Sequence, residues 1–270
     1  MQAHNEAQGA EGLEEPVGGN FILRVEGLKR SFGGVWAVSD VSMEIQSGRL
    51  TGLIGPNGAG KSTMLAMLAG TTDPTSGCIT FAGQDVTHLR AFQRANLGLV
   101  RTFQLSSEFK RLTVLENLLV AVPDDPGDSF TGSLFRRSRW RSYETASLAE
   151  AARLLRDFRL EAHADAYAGD LSGGQRRLVE IMRALMTRPK LLLLDEPMAG
   201  VHPKLAIEIG DQLLRLVHGG MSILMVEHEL SIVDRLCEPV IVMAEGRVLA
   251  QGTMAELRGQ QEVVDAYLVG

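Results

Sequence analysis

The segment GPNGAGKST, from Gly55 to Thr63, constrains the fold more than any other part of this sequence. The apolar run RLTGLI precedes it, and the helix-favouring run MLAMLAG follows it. The segment therefore joins a buried strand to the start of a helix, with the spacing G-x-x-x-x-G-K-[ST]. In that context the loop N–H groups wrap phosphate groups, so the sequence predicts an α/β fold that binds a nucleotide.

The same pattern predicts what each part of the loop does. Its glycines let the backbone approach the phosphates, Lys61 reaches the terminal phosphates, and the Ser62 hydroxyl ligates Mg²⁺. The predicted nucleotide-binding residues are Gly55, Pro56, Asn57, Gly58, Ala59, Gly60, Lys61, Ser62 and Thr63.

An acidic pair ends a second apolar run, LLLLD, at Asp195 and Glu196. Successive residues at a strand end point in different directions, so the two carboxylates can serve different purposes. We expect Asp195 to hold Mg²⁺ and Glu196 to act as the general base on an attacking water. The alternative is an acidic pair that simply ends a strand in solvent.

The rest of the chain alternates strand and helix patterns. Three short apolar runs, KLLLLDEP, MSILMVEH and PVIVMAEG, predict parallel strands buried on both faces. Alternating runs near the N-terminus predict further strands, and VIVMAEGRVLAQG predicts a hairpin. After LSGGQ, apolar residues fall at helix spacing at Leu178, Ile181, Met182 and Leu185.

These patterns predict the organisation of the chain. Residues 1–20 form a flexible polar tail, and residues 21–252 form one nucleotide-binding domain. Loop signals and the helical pattern SLAEAARLLRDF predict an inserted helical part over about 105–175, and a helix follows over 253–270.

Net charge and hydropathy limit the classes of function that the chain can have. The net charge of −6 argues against a protein whose main partner is nucleic acid. No apolar run approaches the length that would span a bilayer, and no signal peptide is evident. The cysteines Cys78 and Cys237 lack metal-ligand spacing, which suits a reducing cytoplasm.

A second glycine loop, LSGGQ, begins the helix of the Leu178 pattern. It contains no charged residue, so its chemistry rests on the Ser172 hydroxyl and on the N–H groups of a helix start. We expect Ser172, Gly173, Gly174 and Gln175 to offer a second anion site.

Five elements in order then resemble the nucleotide-binding subunits of ATP-binding-cassette (ABC) transporters: GPNGAGKST, Gln104 in RTFQL, LSGGQ, LLLLDEP, and His228 in MVEHE. The resemblance covers about Phe21 to Gly252. It implies a P-loop NTPase of the ABC type, with a mixed β core, an antiparallel β subdomain and an inserted α-helical subdomain. It also implies a Mg²⁺-dependent ATP hydrolase.

The resemblance implies further roles for individual residues. Gln104 contacts Mg²⁺ and the attacking water, His228 hydrogen-bonds the γ-phosphate, and Phe32 stacks on adenine, although Phe32 also suits an ordinary core position. The LSGGQ loop covers the γ-phosphate held by a second ATP-binding subunit. His202 stands where many family members have an aspartate at the dimer interface.

Weaker features, among them VRTFQ, LTVLENLLVA, EPMAGVHP and VEHEL, resemble the subunits that energise import of branched-chain amino acids. That resemblance implies integral-membrane permeases as partners, a solute-binding protein as an indirect partner, and a peripheral place on the cytoplasmic face of the inner membrane. Urea or amide import, lipid export, and a non-transport ABC ATPase acting on nucleic acid stay as alternatives. The basic cluster Arg136–Arg141 predicts a solvated face, with a membrane or permease contact as the alternative.

Overall fold

The computed structural model describes residues 20–102, 109–123 and 137–269. Its strands form a six-stranded sheet, which we call the central sheet, and a four-stranded sheet, which we call the outer sheet. The strands of the central sheet are β3 (Leu50–Ile54), β6 (Leu99–Arg101), β7 (Leu191–Asp195), β8 (Ser222–Val226), β9 (Val240–Ala244) and β10 (Arg247–Gly252). Those of the outer sheet are β1 (Phe21–Phe32), β2 (Val35–Gln46), β4 (Ser76–Phe81) and β5 (Gln84–Asp85).

The central sheet has the order β10-β9-β3-β8-β7-β6. Its strands pair in parallel except for β10, which pairs antiparallel with β9 as the predicted hairpin requires. The outer sheet has the order β2-β1-β4-β5 and is antiparallel throughout. The predicted mixed core and the antiparallel subdomain are therefore both present.

Nine α-helices lie in the described residues. They are α1 (Lys61–Leu68), α2 (Ala91–Leu97), α3 (Val114–Val120), α4 (Arg137–Asp157), α5 (Gly173–Met186), α6 (Pro203–His218), α7 (Leu230–Leu236), α8 (Met254–Arg258) and α9 (Gln261–Val269). Helices α3 and α4 lie between β6 and β7 and pack on α5. These helices form the inserted helical part. At the C-terminus the structure has two short helices, α8 and α9, where the sequence predicted one, because Gly259 ends the first of them.

Alternate residues of the central strands face two separate cores. Leu191 and Leu193 of β7 pack with α1 and the outer sheet, whereas Leu192 and Leu194 pack with α5 and α6. This is the alternation that a strand buried on both faces requires. The ends of β7 and its neighbours are therefore held between two packed layers. The predicted apolar residues of α5 are all buried.

The helix that follows the phosphate loop is held at its far end by a buried arginine. The Arg94 guanidinium, fully buried, donates to the carbonyl oxygens of Met67 at 2.6 Å and Leu68 at 2.8 Å. A cation at a helix C-terminus satisfies carbonyls that have no partner in the helix and opposes the negative end of its dipole.

None of the helices in the described residues is long and apolar enough to cross a bilayer.

Candidate nucleotide site

The candidate site lies where four neighbouring parallel strands end. Strand β3 leads into the phosphate loop at Gly55, β6 ends at Arg101, β7 ends at Asp195, and β8 is followed by Glu227 and His228. The carboxyl ends of parallel strands meet at one edge of a sheet, which is where α/β proteins bind their ligands. Sequence motifs that are far apart in the chain are thereby brought together.

The phosphate loop has a backbone that only glycine tolerates at two positions. Gly55 has φ +150° and Gly60 has φ +97°. An added Cβ at Gly55 would overlap the carbonyl oxygen of Met243, and one at Gly60 would overlap the carbonyl oxygen of Ala37. The loop is therefore packed against the edges of β9 and β2, and α1 begins immediately after it without a side-chain cap.

The Lys61 ammonium group lies against this loop. Its Nζ donates to the carbonyl oxygens of Gly55 at 2.7 Å and Pro56 at 2.9 Å. Burial lowers the pKa of Lys61, and the nearby carboxylates of Glu196 and Asp195 oppose that effect. A cation held beside the loop and facing two carboxylates is suited to bind anionic phosphate oxygens.

The two carboxylates of the acidic pair have different partners in the structure. Asp195 Oδ2 accepts from Arg101 Nη2 at 2.7 Å. The Arg101 side chain is 17% exposed and the Asp195 side chain 26%. Glu196 Oε1 lies 2.5 Å from His228 Nε2. An ionised carboxylate only accepts, so an ionised Glu196 would accept from the Nε2–H of His228 in this contact.

Glu196 also has an unusual backbone. Its φ is +47°, in the left-handed region that costs a residue with a Cβ about 1–3 kcal/mol. Its N–H donates to the carbonyl oxygen of Val226 at 3.0 Å, and its own carbonyl accepts from Ala199 N–H at 3.1 Å and Arg177 Nη2 at 3.2 Å. Such a conformation persists only where the surroundings enforce it, and such residues cluster at functional sites.

The residues present fit a magnesium ion. Mg²⁺ prefers hard oxygen ligands and takes one or two carboxylates beside the phosphates of a nucleotide. Ser62 is the second residue of α1, and Asp195 ends β7, which lies next to β8 and two strands from β3. In the described part of the chain no three histidine, cysteine or acidic side chains converge as an all-protein metal cage would require.

Phe32 is half exposed at the end of β1, with the Arg30 guanidinium 4.6 Å from its ring centroid. A core phenylalanine would be buried, so its exposed ring leaves a face free for stacking. Gln104 lies outside the described residues, and so does Arg136 of the basic cluster. The helix α4 begins at Arg137, within that cluster.

The LSGGQ residues form the start of α5, as the sequence predicted. Ser172 is the N-cap: its hydroxyl accepts from Gln175 N–H at 3.3 Å, and its N–H donates to Gln175 Oε1 at 2.9 Å. An added Cβ at Gly173 would meet nothing within 4 Å, whereas one at Gly174 would lie 2.6 Å from the Leu205 side chain. Among the described residues, no hydrogen bond or ion pair joins this segment to the phosphate loop. The two glycine loops thus form separate surfaces of one chain.

Comparisons with known proteins agree with this arrangement. The ABC transporter family model matches residues 38–199. The chain belongs to the ABC transporter family. The BraF protein of Pseudomonas aeruginosa, a high-affinity branched-chain amino acid transport ATP-binding protein, is 37% identical over 92% of this chain and 97% of its own. The probable branched-chain amino acid transport ATP-binding protein LivG of Methanocaldococcus jannaschii is 40% identical over 90% of this chain and 91% of its own.

Solved structures of ABC cassettes have the same fold. A nucleotide-free ATP-binding cassette superposes with a TM-score of 0.80, at 36% identity over 92% of this chain and 98% of that one. The ADP conformation of an ATP-binding cassette gives a TM-score of 0.79, at 34% identity over 93% of this chain and 99% of that one. The predicted family, fold class and ATP-binding, ATP-hydrolysing activity are confirmed.

In this ABC cassette His202 takes a position at which the family often has aspartate. It is the N-cap of α6, and its Nδ1 accepts from Lys204 N–H at 3.3 Å. Aspartate is a preferred N-cap because its side chain accepts this kind of bond. The imidazole therefore retains the capping function, while the charge of an aspartate is absent from the loop.

Sequence reasoning missed three residues of this ABC cassette that contact the acidic pair or its loop: Arg101, Arg177 and Glu227. Arg101 and Glu227 lie inside the motifs RTFQL and MVEHE, in which the family resemblance assigns roles only to Gln104 and His228. Glu227 could have been found from its position, because it directly follows the apolar run SILMV. An acid at the end of a buried strand is itself partly buried and needs a hydrogen-bond partner. Arg177 gave no signal, since arginine is ordinary on a helix.

Proposed function

We propose that the chain is the ATP-hydrolysing subunit of an importer that takes up branched-chain or other hydrophobic amino acids through a membrane permease. The observation that carries this proposal is the identity to the BraF and LivG proteins, which extends over nine-tenths of both chains. Because a cassette does not touch the transported solute, the amino-acid class is supported by that likeness and not by the site.

The geometry supports a division of labour in hydrolysis. The phosphate loop and Lys61 would hold the phosphates, and Ser62 and Asp195 would hold Mg²⁺, which when bound neutralises phosphate charge. The family resemblance adds Gln104 as a further ligand of the metal. Water attacks the γ-phosphorus in line, its proton passes to Glu196, and the bond to the ADP oxygen breaks. His228, already bonded to Glu196, orients that carboxylate. As the family resemblance implies, it would also hydrogen-bond the γ-phosphate.

The second glycine loop supports a site shared between subunits. Gly173 is open, and the start of α5 has no phosphate-loop partner within the described residues of its own chain. We assign Ser172–Gln175 to the γ-phosphate bound by a second ATP-binding subunit, either a copy of this chain or a related one. The permease pair, an indirect solute-binding protein and a peripheral place on the cytoplasmic face of the membrane complete the proposed assembly.

Solute uptake by cells tests this function directly. Deleting the gene should abolish uptake of labelled leucine, isoleucine and valine, and the wild-type gene should restore it. The Glu196→Gln gene should give equal protein without restoring uptake. Unchanged amino-acid uptake, together with loss of urea uptake or of lipid export, would replace the proposed solute class with one of those alternatives.

A further inference from the structure

A buried acid to which no nucleotide motif assigns a role lies next to the site. Glu227 follows β8 directly and is only 4% exposed. Charged side chains are almost never buried to this extent unless they are paired or hydrogen-bonded. The contacts of Glu227 therefore identify what the chain uses it for.

Its two carboxylate oxygens accept from two different segments. Oε1 accepts from the backbone N–H of Met198 at 2.8 Å, and Oε2 accepts from the backbone N–H of His228 at 3.3 Å. Met198 lies two residues after Glu196, and it is itself 5% exposed. One carboxylate thus ties the loop after β7 to the loop after β8.

The first of these loops carries the strained Glu196. The left-handed backbone of that residue is enforced on its two sides by Val226 and Arg177, whose contacts are given above. Glu227 adds a further support, because it fixes the peptide N–H of Met198 within the same turn. Without that support, the turn can relax toward a commoner backbone conformation, which would move the Glu196 carboxylate.

The second loop carries the partner of Glu196. His228 Nε2 contacts Glu196 Oε1. This contact forms only while the distance between the two loops stays fixed. We propose that Glu227 is a positioning residue, whose buried carboxylate holds the Glu196 loop and the His228 loop together so that base and histidine stay aligned for hydrolysis. This inference rests on the proposed role of Glu196.

The side chain must accept two bonds, which restricts what can replace it. A glutamine keeps one acceptor but turns an N–H₂ group toward one of the two backbone N–H donors. A methionine keeps the volume and offers neither acceptor, leaving both buried N–H groups unsatisfied. Glu229, two residues on, supplies a matched control, because its exposed side chain accepts only from the nearby Ser231 hydroxyl in the described structure.

The experiment compares Glu227→Gln and Glu227→Met with Glu229→Gln and Glu229→Met in the full chain. We expect kcat for ATP hydrolysis to fall about 10-fold for Glu227→Gln and about 100-fold for Glu227→Met. The KM for ATP and the melting temperature of Glu227→Gln should stay near wild type. Hydrogen exchange should accelerate at 196–201 and 227–229 and nowhere else. Both Glu229 variants should match wild type.

Each outcome decides one question. Wild-type kcat and unchanged exchange in Glu227→Gln would overturn the inference. A fall in kcat accompanied by faster exchange throughout the chain would also overturn it, since that indicates a general loss of stability. Rapid hydrolysis by Glu196→Gln would instead refute the role of Glu196, while local exchange at Met198 would still report whether Glu227 ties the loops.

Discussion

The two helices that begin at glycine loops, α1 at Lys61 and α5 at Gly173, start in different ways. Helix α1 follows a left-handed Gly60 and has no side-chain cap, and Lys61 at its start faces Asp195 and Glu196. Helix α5 follows Ser172 in a full capping box with Gln175. In the proposed function, the first start brings its own chain's catalytic groups to a phosphate. The second start, Ser172–Gln175, has no charged residue of its own and would meet a phosphate bound by another subunit.

The largest expected effect is on the rate of hydrolysis, from a substitution beside the start of α1. Glu196→Gln keeps the size of the side chain but removes the base, so we expect kcat to fall about 10²-fold or more. ATP binding should persist, because the phosphate loop and Lys61 are unchanged. Steady-state hydrolysis and nucleotide affinity measure the two effects, and wild-type turnover would contradict the role of the carboxylate.

A mixing experiment tests whether the two starts belong to one shared site. Lys61→Ala disables the first, Ser172→Arg disables the second, and each variant alone should be inactive. In a homodimer, mixing them at equal amounts should restore about a quarter of wild-type hydrolysis, since half of the dimers then contain one intact site. Absence of recovery, with mixed dimers demonstrated, would mean that the two loops act within one chain.

Alanine at each loop should separate stability from function. Gly60→Ala places a Cβ on the carbonyl oxygen of Ala37 at φ +97°, so unfolding free energy should fall by about 2 kcal/mol or more. Gly173→Ala meets open space and should change stability by less than about 0.5 kcal/mol, yet reduce hydrolysis in the assembled transporter. Equal stability losses at the two positions would remove the contrast between them.

The smallest effect concerns Arg101, which contacts Asp195 at 2.7 Å. In the proposed site, a cation at this position would compete with Mg²⁺ for the Asp195 carboxylate. Arg101→Met should therefore lower the Mg²⁺ concentration needed for half-maximal binding of a fluorescent ATP analogue by about 3- to 10-fold. Arg101→Lys, which keeps the charge, should stay near wild type. A higher Mg²⁺ requirement in Arg101→Met would show that Arg101 instead orients Asp195 for the metal.

The sequence predicted most of the fold because its signals are local. The glycine spacing of Gly55 to Gly60 and the apolar run before Asp195 each specify a backbone conformation or a buried strand within a few residues. The short strand β6 and the helix α2 were not predicted, because their three and seven residues give no clear periodicity.

The site was only partly predictable for a different reason. Arg101, Arg177 and Glu227 act through contacts across 94, 19 and 29 residues of chain, respectively. No local pattern encodes such a contact. The left-handed backbone of Glu196 is likewise held by Val226 of β8 and Arg177 of α5, and glutamate itself gives no sign of it.

The shared site is tested most directly by a structure of the assembled transporter carrying Glu196→Gln, determined with ATP and Mg²⁺. The measurement is the distance from the Ser172 hydroxyl to the nearest oxygen of a γ-phosphate. We predict about 3 Å, to the γ-phosphate of an ATP whose other phosphates are bound by the opposite ATP-binding subunit. A Ser172 that faces water while both nucleotides are bound, with no subunit opposite, would contradict the account.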